Sequence, residues 1–545
     1  MDLTQIPGKG LKADCLRPGE AMASDSMTVR LRSSSVGLRA LTAPRRLRNS
    51  LNVARYAAVA VICLLCDLVM PGRAGLATSA ALFLFWSLWL TRHEMKGALL
   101  ALNPIVCYQG WQAMTLGVAP LYIALSSPAD AGIPFGNYSL TLETVAYGHA
   151  VVVVGSWAFY WGMKQFQPRE APRWAVAPAP PTGAALITAA AIGLAFHVGR
   201  EFITVYTGST VVQLGVLPLA VLCMLALNPP PAFRRSEKAQ LALLLLGSLG
   251  VLVLNARRDS KMELMFSFVP LVWWALKRRK RTTLALVGLG LVVLYLGVIA
   301  PLVSLMRNAG TRDETGRLAV LTPGYTERTV DAIKTDYSSD PAMFLGTWVD
   351  ATMNRMCDPC AAGMVVSLAH EGGLLYGQGL DYVPWAFIPR AVWRDKPFID
   401  RGRNFTTVLG WAADPSVATT STGQTSAGEL YWNFGWPGVL AGMYLVGAAL
   451  AGLWWRAAGP DPRRGVLEMT AYAGAMLSFV LGAGAAAGGV FVGAISAGLF
   501  WHAIIAVRDR TFRTAPLNRQ RAISDSRHYH GASHPLRAPA HAGRV

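Results

Sequence analysis

Several signatures of common enzymes and transporters are missing from this 545-residue chain. No phosphate-binding loop of the Gly-x-x-x-x-Gly-Lys-Ser/Thr type is present, which argues against ATP-driven transport, and no His-Glu-x-x-His pattern, which argues against a zinc protease. The chain also lacks the Asp-x-Asp pair that binds metal in many nucleotide-sugar transferases. Residues 1–50 contain no apolar run of the kind found in cleavable signal peptides, so none is expected.

Charged residues are also scarce, and their distribution indicates a membrane protein. Hydrophobic residues make up 53% of the chain and charged residues 15%, with a mean hydropathy of +0.36. In a soluble protein the net charge of +19 would suggest nucleic acid as a partner. Here many of the basic residues lie in short loops between apolar segments, where anionic lipid attracts them. We therefore expect membrane lipid, and no nucleic acid, as a partner.

Apolar windows long enough to cross a bilayer recur along the chain. We count about twelve of them, near 52–70, 74–91, 99–126, 142–163, 183–199, 210–227, 239–255, 262–276, 283–306, 437–455, 466–484 and 488–507. This pattern predicts an all-α, polytopic integral membrane protein of about 12 transmembrane helices. The third window contains Asn103-Pro104, which predicts a kinked or re-entrant segment.

Basic residues between the windows predict the orientation. The run Lys277–Arg281 and several other basic clusters occupy alternate loops, which the positive-inside rule places in the cytoplasm. Both termini are then cytoplasmic, in a multi-pass membrane protein. The predicted parts are an N-terminal segment 1–51, helices 1–9 over 52–306, a large external loop 307–436, helices 10–12 over 437–507 and a basic tail 508–545.

A basic cluster at the junction of two windows is the first candidate binding site. Arg257, Arg258 and Lys261 lie on the outer side, where basic residues are disfavoured. Guanidinium groups bind phosphate oxygens in bidentate fashion, and an ammonium adds a point charge, so the cluster suits a lipid diphosphate. The alternative is a set of membrane anchors or an ion pair with Asp259.

A second candidate, for catalysis, is His370-Glu371 in the external loop. The segment Pro359–Ala369 predicts a short helix with proline at its start and Gly372-Gly373 past its end. His370 would lie at the helix C-terminus, where a protonated imidazole is favoured. A histidine or carboxylate can act as a general base, whereas the alternative is a capping histidine beside a solvated glutamate.

A third candidate is the proline-bracketed segment Pro389–Pro397, which interleaves Arg390, Arg394 and Lys396 with Trp393. Prolines stiffen such a segment, tryptophan can stack on sugar rings, and the basic residues can reach phosphate. Arg307 could complete a basic ring. The alternative is an amphipathic segment on lipid headgroups. Arg401 and Arg403 could also serve. His197 and Glu201 share a helix face at the outer end of the fifth window and form another candidate site, for which an interfacial end cap is the alternative.

Cys357 and Cys360 form the only cysteine pair in the predicted external loop. In an oxidising compartment they are expected to form a disulfide with a small loop. A zinc site would need a second pair of ligands, and we expect neither a metal nor a cofactor.

Two stretches of the chain resemble a known family. Phe387–Pro397 carries an Ile-Pro-Arg, aromatic, Lys-Pro run, and Gly428–Gly438 carries Gly-Glu followed by Asn-Phe-Gly. Both resemble the bacterial O-antigen and exopolysaccharide repeat-unit polymerases, over roughly residues 250–450. The resemblance implies a protein of the bacterial inner (plasma) membrane. It also implies a metal-independent, GT-C-like glycosyltransferase whose external loop folds as short helices over a membrane cavity. Donor and acceptor would both be polyprenyl-diphosphate-linked oligosaccharides, with a flippase and a chain-length regulator as further partners.

The resemblance also implies roles for the candidate residues. Arg257, Arg258, Arg390, Arg394 and Lys396 would neutralise the leaving diphosphate, and His370 or Glu371 would be the base or position the acceptor. Three alternatives remain open. They are an O-antigen ligase acting on lipid A core, a transporter of lipid-linked oligosaccharide, and a non-catalytic partner in export.

Overall fold

The computed structural model describes the chain in segments. They are residues 49–70, 72–94, 104–127, 132–135, 138–166, 187–188, 190–195, 217–227, 229, 236–256, 264, 267–278, 286–288, 290, 293–295, 331, 341–386, 388, 393, 401–410, 412–414 and 422–458. This region is mostly helical (86%), which confirms the prediction of an α-helical protein at that level.

The helices and strands follow one another along the chain in a fixed order. They are α1 Asn49–Val69, α2 Gly72–Glu94, α3 Pro104–Gln112, a π-helix Ala113–Val118, α4 Ala119–Ser126, β1 Ile133–Phe135, β2 Tyr138–Leu140, α5 Leu142–Phe166, α6 Leu217–Leu227, α7 Glu237–Ala256, α8 Val269–Arg278, α9 Pro341–Met356, α10 Asp358–Gly372, a 3-10 turn Gln378–Leu380, α11 Val383–Ala386, α12 Arg401–Val408 and α13 Ser426–Ala458. The two strands form an antiparallel hairpin in which Phe135 faces Tyr138.

Four described helices are long and apolar enough to cross a membrane, namely α1, α2, α5 and the part Ser426–Gly452 of α13. The lengths of α1, α2 and α5 follow from uninterrupted apolar runs, as predicted for the first, second and fourth windows. The membrane assignment is therefore supported, while the total of twelve spans and the GT-C-like architecture remain predictions. The windows at 466–484 and 488–507 lie outside the described residues.

Helix α5 is the centre of the structure. In its apolar window 78% of the residues are buried, against 28% in α1, so α5 is surrounded by protein whereas α1 exposes most of its surface. Glycines allow the close approach of its neighbours: a side chain at Gly148 would collide with the backbone of α10, and one at Gly162 with the backbone of α13. Close backbone contact at small residues is the usual way in which membrane helices associate.

From Pro104 to Ser126 the third window is continuously helical and consists of α3, the π-helix and α4. Helix α3 begins at Pro104, where the missing amide hydrogen costs no helical bond. The irregularity lies further along, at the π-helix, where the Ala119 amide bonds the carbonyl of Met114, five residues back. Pro120 follows directly and has no amide hydrogen, so the Leu116 carbonyl loses its α-helical partner.

Helix α13 is a hairpin of two limbs, 426–434 and 436–458. Gly435 has φ 63° and ψ −152°, a conformation open essentially to glycine alone, and Pro437 follows the turn. Twelve residues of straight helix span about 18 Å, yet the Leu430 side chain lies against Gly442. The chain therefore folds back on itself at Gly435, and the second limb covers the predicted window 437–455.

Candidate functional site

Of the predicted catalytic and diphosphate-binding residues, the structure describes the catalytic pair His370 and Glu371. The predicted diphosphate-binding residues lie outside the described part of the chain and remain predictions. They are Arg257, Arg258, Lys261, Arg307, Arg390, Arg394 and Lys396. The further candidates Arg401 and Arg403 belong to helix α12, whereas His197 and Glu201 lie outside the described residues.

Helix α10 delivers His370, and it forms as its sequence predicts. Cys357 caps the helix, its sulfur accepting a hydrogen bond from the Cys360 amide at 3.1 Å, and a proline stands in the first turn. The helix ends at Gly372 and is followed by Gly373, whose φ of 82° suits glycine. A disulfide joins Cys357 to Cys360, as expected, and both cysteines are buried. His370 lies in the last helical turn, also as predicted.

His370 lies at the edge of an aromatic cluster built on α5 and the α13 hairpin. Its exposed ring lies edge-on to the ring of Tyr147, with 5.8 Å between their centroids. Tyr147 in turn lies 6.2 Å from the ring of Tyr431 and 6.0 Å from that of Trp436. Tyr431 is buried, whereas Tyr147 and Trp436 are half-buried and so present part of their surface outward.

Hydrogen bonds fix the polar atoms of this cluster around the Tyr147 hydroxyl. The Trp436 Nε1–H donates to it at 3.3 Å, and the Tyr431 hydroxyl lies 3.3 Å away. An indole nitrogen can only donate, so the Tyr147 oxygen must accept there. If the Tyr431 hydroxyl also donates to it, the Tyr147 hydrogen is free to point away from both partners. The cluster then offers aromatic faces, a hydroxyl and the neighbouring imidazole together.

The stretch Gly428–Gly438, the second of the two that resemble the polymerase family, folds into the turn that builds this cluster. Gly428 lies against Ala362 of α10, and an added Cβ there would collide with the Thr425 hydroxyl at 2.8 Å. Glu429 is fully buried and accepts a bond from Gln424 Nε2 at 2.9 Å. The Asn433 side chain accepts from the Gly379 amide at 2.9 Å and donates to the Glu429 carbonyl at 2.8 Å. Asn433 thus ties the segment after His370 to the hairpin.

Asp358, in the first turn of α10, is a buried acid at the opposite end of the helix. Burial raises the pKa of its carboxyl to about 7, and the nearby Thr115 hydroxyl has a smaller effect that lowers the pKa. Even so, Asp358 Oδ2 and Thr115 Oγ1 both lack a hydrogen-bonding partner within the described structure. An acid in this environment holds its proton at mildly acidic pH.

A separate cluster of buried polar residues links the helices of the bundle. His149 of α5 contacts Asp67 of α1 at 2.7 Å, and the Ser79 hydroxyl of α2 donates to the same carboxylate. Near the other end of α5, Lys164 pairs with Glu94 of α2 at 2.8 Å, and Tyr160 donates to Glu94 at 3.2 Å. Ionisable side chains inside a membrane bundle are costly and are commonly functional.

Sequence reasoning did not select Tyr147, Tyr431, Trp436, Asp67 or His149. For Asp67 and His149 a signal was available, because each is an ionisable residue inside an apolar window. Tyr431 and Trp436 lie in the stretch Gly428–Gly438 that carries the family resemblance, which could have pointed to them. For Tyr147 no signal was available, since tyrosine is common in membrane helices near the interface.

No protein-family model matches this chain, and no curated protein or solved structure shows detectable similarity to it.

Proposed function

We propose that this protein is a polysaccharide polymerase, which joins lipid-linked oligosaccharide repeat units into O-antigen, capsule or exopolysaccharide on the outer face of the membrane. One observation carries the proposal. The signature stretch 428–438 forms the turn that brings Tyr431 and Trp436 to Tyr147, beside the predicted catalytic residue His370. Family resemblance and local geometry thus point to the same place.

In the proposed reaction, a hydroxyl of the acceptor repeat unit attacks the anomeric carbon of the donor glycan. The bond between that carbon and the diphosphate oxygen breaks, and the polyprenyl diphosphate leaves with the electron pair. His370 or Glu371 accepts the proton of the attacking hydroxyl or positions the acceptor. Arg257, Arg258, Arg390, Arg394 and Lys396, with Lys261 and Arg307 nearby in our prediction, would stabilise the departing negative charge.

The aromatic cluster fits an acceptor sugar. The outward surfaces of Tyr147 and Trp436 offer apolar faces to the carbon-bound hydrogens of a pyranose ring, and the Tyr147 hydroxyl can bond to a sugar hydroxyl. His370 is exposed beside them and needs no rearrangement to reach such a ring. These contacts would position the hydroxyl that attacks.

The test is complementation of a chromosomal deletion, followed by electrophoresis of the surface glycan. The deletion should leave single repeat units, and wild type should restore long chains. His370→Ala should lower the polymerisation rate by roughly 10²–10⁴, the usual contribution of a general base. Tyr147→Phe should shorten the chains, and Tyr138→Phe is its matched control, because that hydroxyl bonds the Val408 carbonyl away from the cluster.

The outcomes separate the alternatives. Long lipid-linked glycan that accumulates without transfer to lipid A core would identify a ligase. An unchanged glycan pattern in the deletion strain would refute both enzymes. Normal polymerisation by Arg258→Ala and Arg390→Ala at normal membrane levels would refute the predicted diphosphate site alone.

One observation favours a second candidate, a transporter of lipid-linked oligosaccharide. Asp67 and His149 form a fully buried ionisable pair between helices predicted to span the membrane. Such pairs are typical of proton-coupled transport, although the scarcity of Lys and Arg within the apolar windows argues against an anionic cargo path. A transporter predicts that repeat units accumulate on the cytoplasmic side in the deletion strain, whereas a polymerase leaves them outside.

A further inference from the structure

The cluster of Asp67, Ser79, His149 and the Leu116 carbonyl joins four segments of the bundle at one point. Asp67 belongs to α1, Ser79 to α2, Leu116 to the π-helix and His149 to α5. The side chains of Asp67 and His149 are both fully buried. The proposed glycan chemistry does not use this cluster.

The protonation of His149 follows from its partners. Its Nε2 lies 2.9 Å from the Leu116 carbonyl, which Pro120 deprives of its helical donor. A carbonyl oxygen can only accept, so Nε2 must carry a hydrogen. The other ring nitrogen, Nδ1, lies 2.7 Å from Asp67 Oδ2. A bond of that length between these two atoms needs one hydrogen, which either atom can hold.

Asp67 is satisfied on both oxygens. Its Oδ1 accepts from the Ser79 hydroxyl, whose oxygen also lies 3.2 Å from His149 Nδ1. With one proton between Oδ2 and Nδ1, the pair is neutral overall, whichever atom holds the proton. A second proton would leave a net positive charge among apolar groups such as Phe83, and loss of the shared proton would leave a net negative one.

We propose that Asp67 and His149 form a proton-binding site inside the helix bundle, in which one shared proton holds the α1–α2 hairpin against α5 and the π-helix. Gain or loss of a proton at this site charges the core and loosens these helices from one another. If protons can exchange between this site and the solution outside the bundle, its protonation state controls how tightly α1 and α2 pack against α5 and the π-helix.

Other titratable groups near the site must be separated from it in any test. On α1 they are Cys63 and Cys66, both close enough to interact electrostatically with Asp67. On α10 it is Asp358, beside Thr115 of the π-helix. Cys63 also donates to the Ser79 carbonyl at 3.6 Å. A Cys63→Ser/Cys66→Ser background and an Asp358→Asn variant remove these contributions.

The experiment is hydrogen–deuterium exchange of the full chain in lipid nanodiscs at pH values on both sides of neutrality, corrected for intrinsic exchange. Peptides from 56–94 and 142–166 should lose protection by about tenfold or more away from neutrality, which corresponds to ~1.4 kcal/mol of opening free energy. Asp67→Asn/His149→Gln, which is uncharged at both positions, should lack that change. Equal pH dependence in wild type and this variant, or none in wild type, would overturn the proposal.

Asp67→Asn alone gives a second test that needs only a conservative change. The amide can donate to a bare Nδ1 of neutral His149, so the pair stays neutral and has no shared proton to lose. In this variant the loss of hydrogen-exchange protection at high pH should therefore disappear, while the loss of protection at low pH should remain. Retention of the high-pH response would contradict the proposal. NMR of ¹⁵N-histidine, compared with Asp67→Asn to identify the signals, must show hydrogen on Nε2 of His149; a bare Nε2 would also overturn it.

Discussion

Replacing Asp358 by Asn should stabilise the protein, and more so as the pH rises. In the unfolded chain this carboxyl ionises near 3.8, whereas burial in the folded protein raises its pKa to about 7. Between these values the unfolded state binds fewer protons than the folded state. The free energy of unfolding therefore falls as the pH rises through this window, and above about pH 7 the loss is complete.

The magnitude follows from the difference between the two pKa values. A rise from 3.8 to about 7 corresponds to roughly 4 kcal/mol, at about 1.4 kcal/mol for each tenfold change in proton affinity. Asn cannot ionise and resembles the protonated acid, so it avoids this cost. The stabilisation by Asp358→Asn at pH 8 should exceed that at pH 5 by roughly 2–3 kcal/mol.

Thermal unfolding of the purified protein in detergent, at pH 5 and pH 8, measures this difference as a change in Tm. Asp381→Asn is the matched control, since Asp381 is exposed in the turn after the 3-10 segment. The reasoning would be refuted by an equal gain in Tm for Asp358→Asn at both pH values. A lower Tm for Asp358→Asn than for wild type at pH 8 would show that the ionised carboxylate has a stabilising partner.

Three further changes test the contacts that build the candidate site. Gly435→Ala should cost about 1–3 kcal/mol, because its backbone conformation suits glycine alone, while Gly452→Ala, with open space around it, should be neutral in the same thermal assay. Asn433→Ala should lower the free energy of unfolding by about 1–3 kcal/mol, since it leaves the buried Gly379 amide unpaired. Asn433→Asp keeps the oxygen that accepts from this amide but not the nitrogen that donates to the Glu429 carbonyl, so it should restore only the first bond. Under denaturing conditions a maleimide should label two more cysteines of the wild-type protein after reduction than before, because reduction opens the Cys357–Cys360 disulfide. In the Cys357→Ser/Cys360→Ser variant, reduction should not change the number of labelled cysteines. Equal labelling of the wild type before and after reduction would mean that the pair is not oxidised.

Local features were predictable because they depend on residues close in sequence. The length of an apolar run fixes whether a helix can cross a bilayer, which is why the windows at 52–70, 74–91 and 142–163 correspond to α1, α2 and α5. Helix α10 was predictable for a similar reason, since proline in its first turn and glycine past its end act on the adjacent backbone. The disulfide needed only two cysteines three residues apart at the start of that helix.

Tertiary structure decided the rest, because the decisive contacts join residues far apart in the sequence. Tyr147 and Tyr431 meet across 284 positions, through a turn at Gly435 whose direction no local pattern specifies. The pairing of Asp67 with His149 depends on which faces of α1 and α5 meet, and the amphipathic signal that orients soluble helices is weak where lipid and core are equally apolar. The sequence by itself determined which segments are helical and apolar. Packing around α5 determined that His370 lies beside an aromatic cluster and that Asp67 meets His149 inside the bundle.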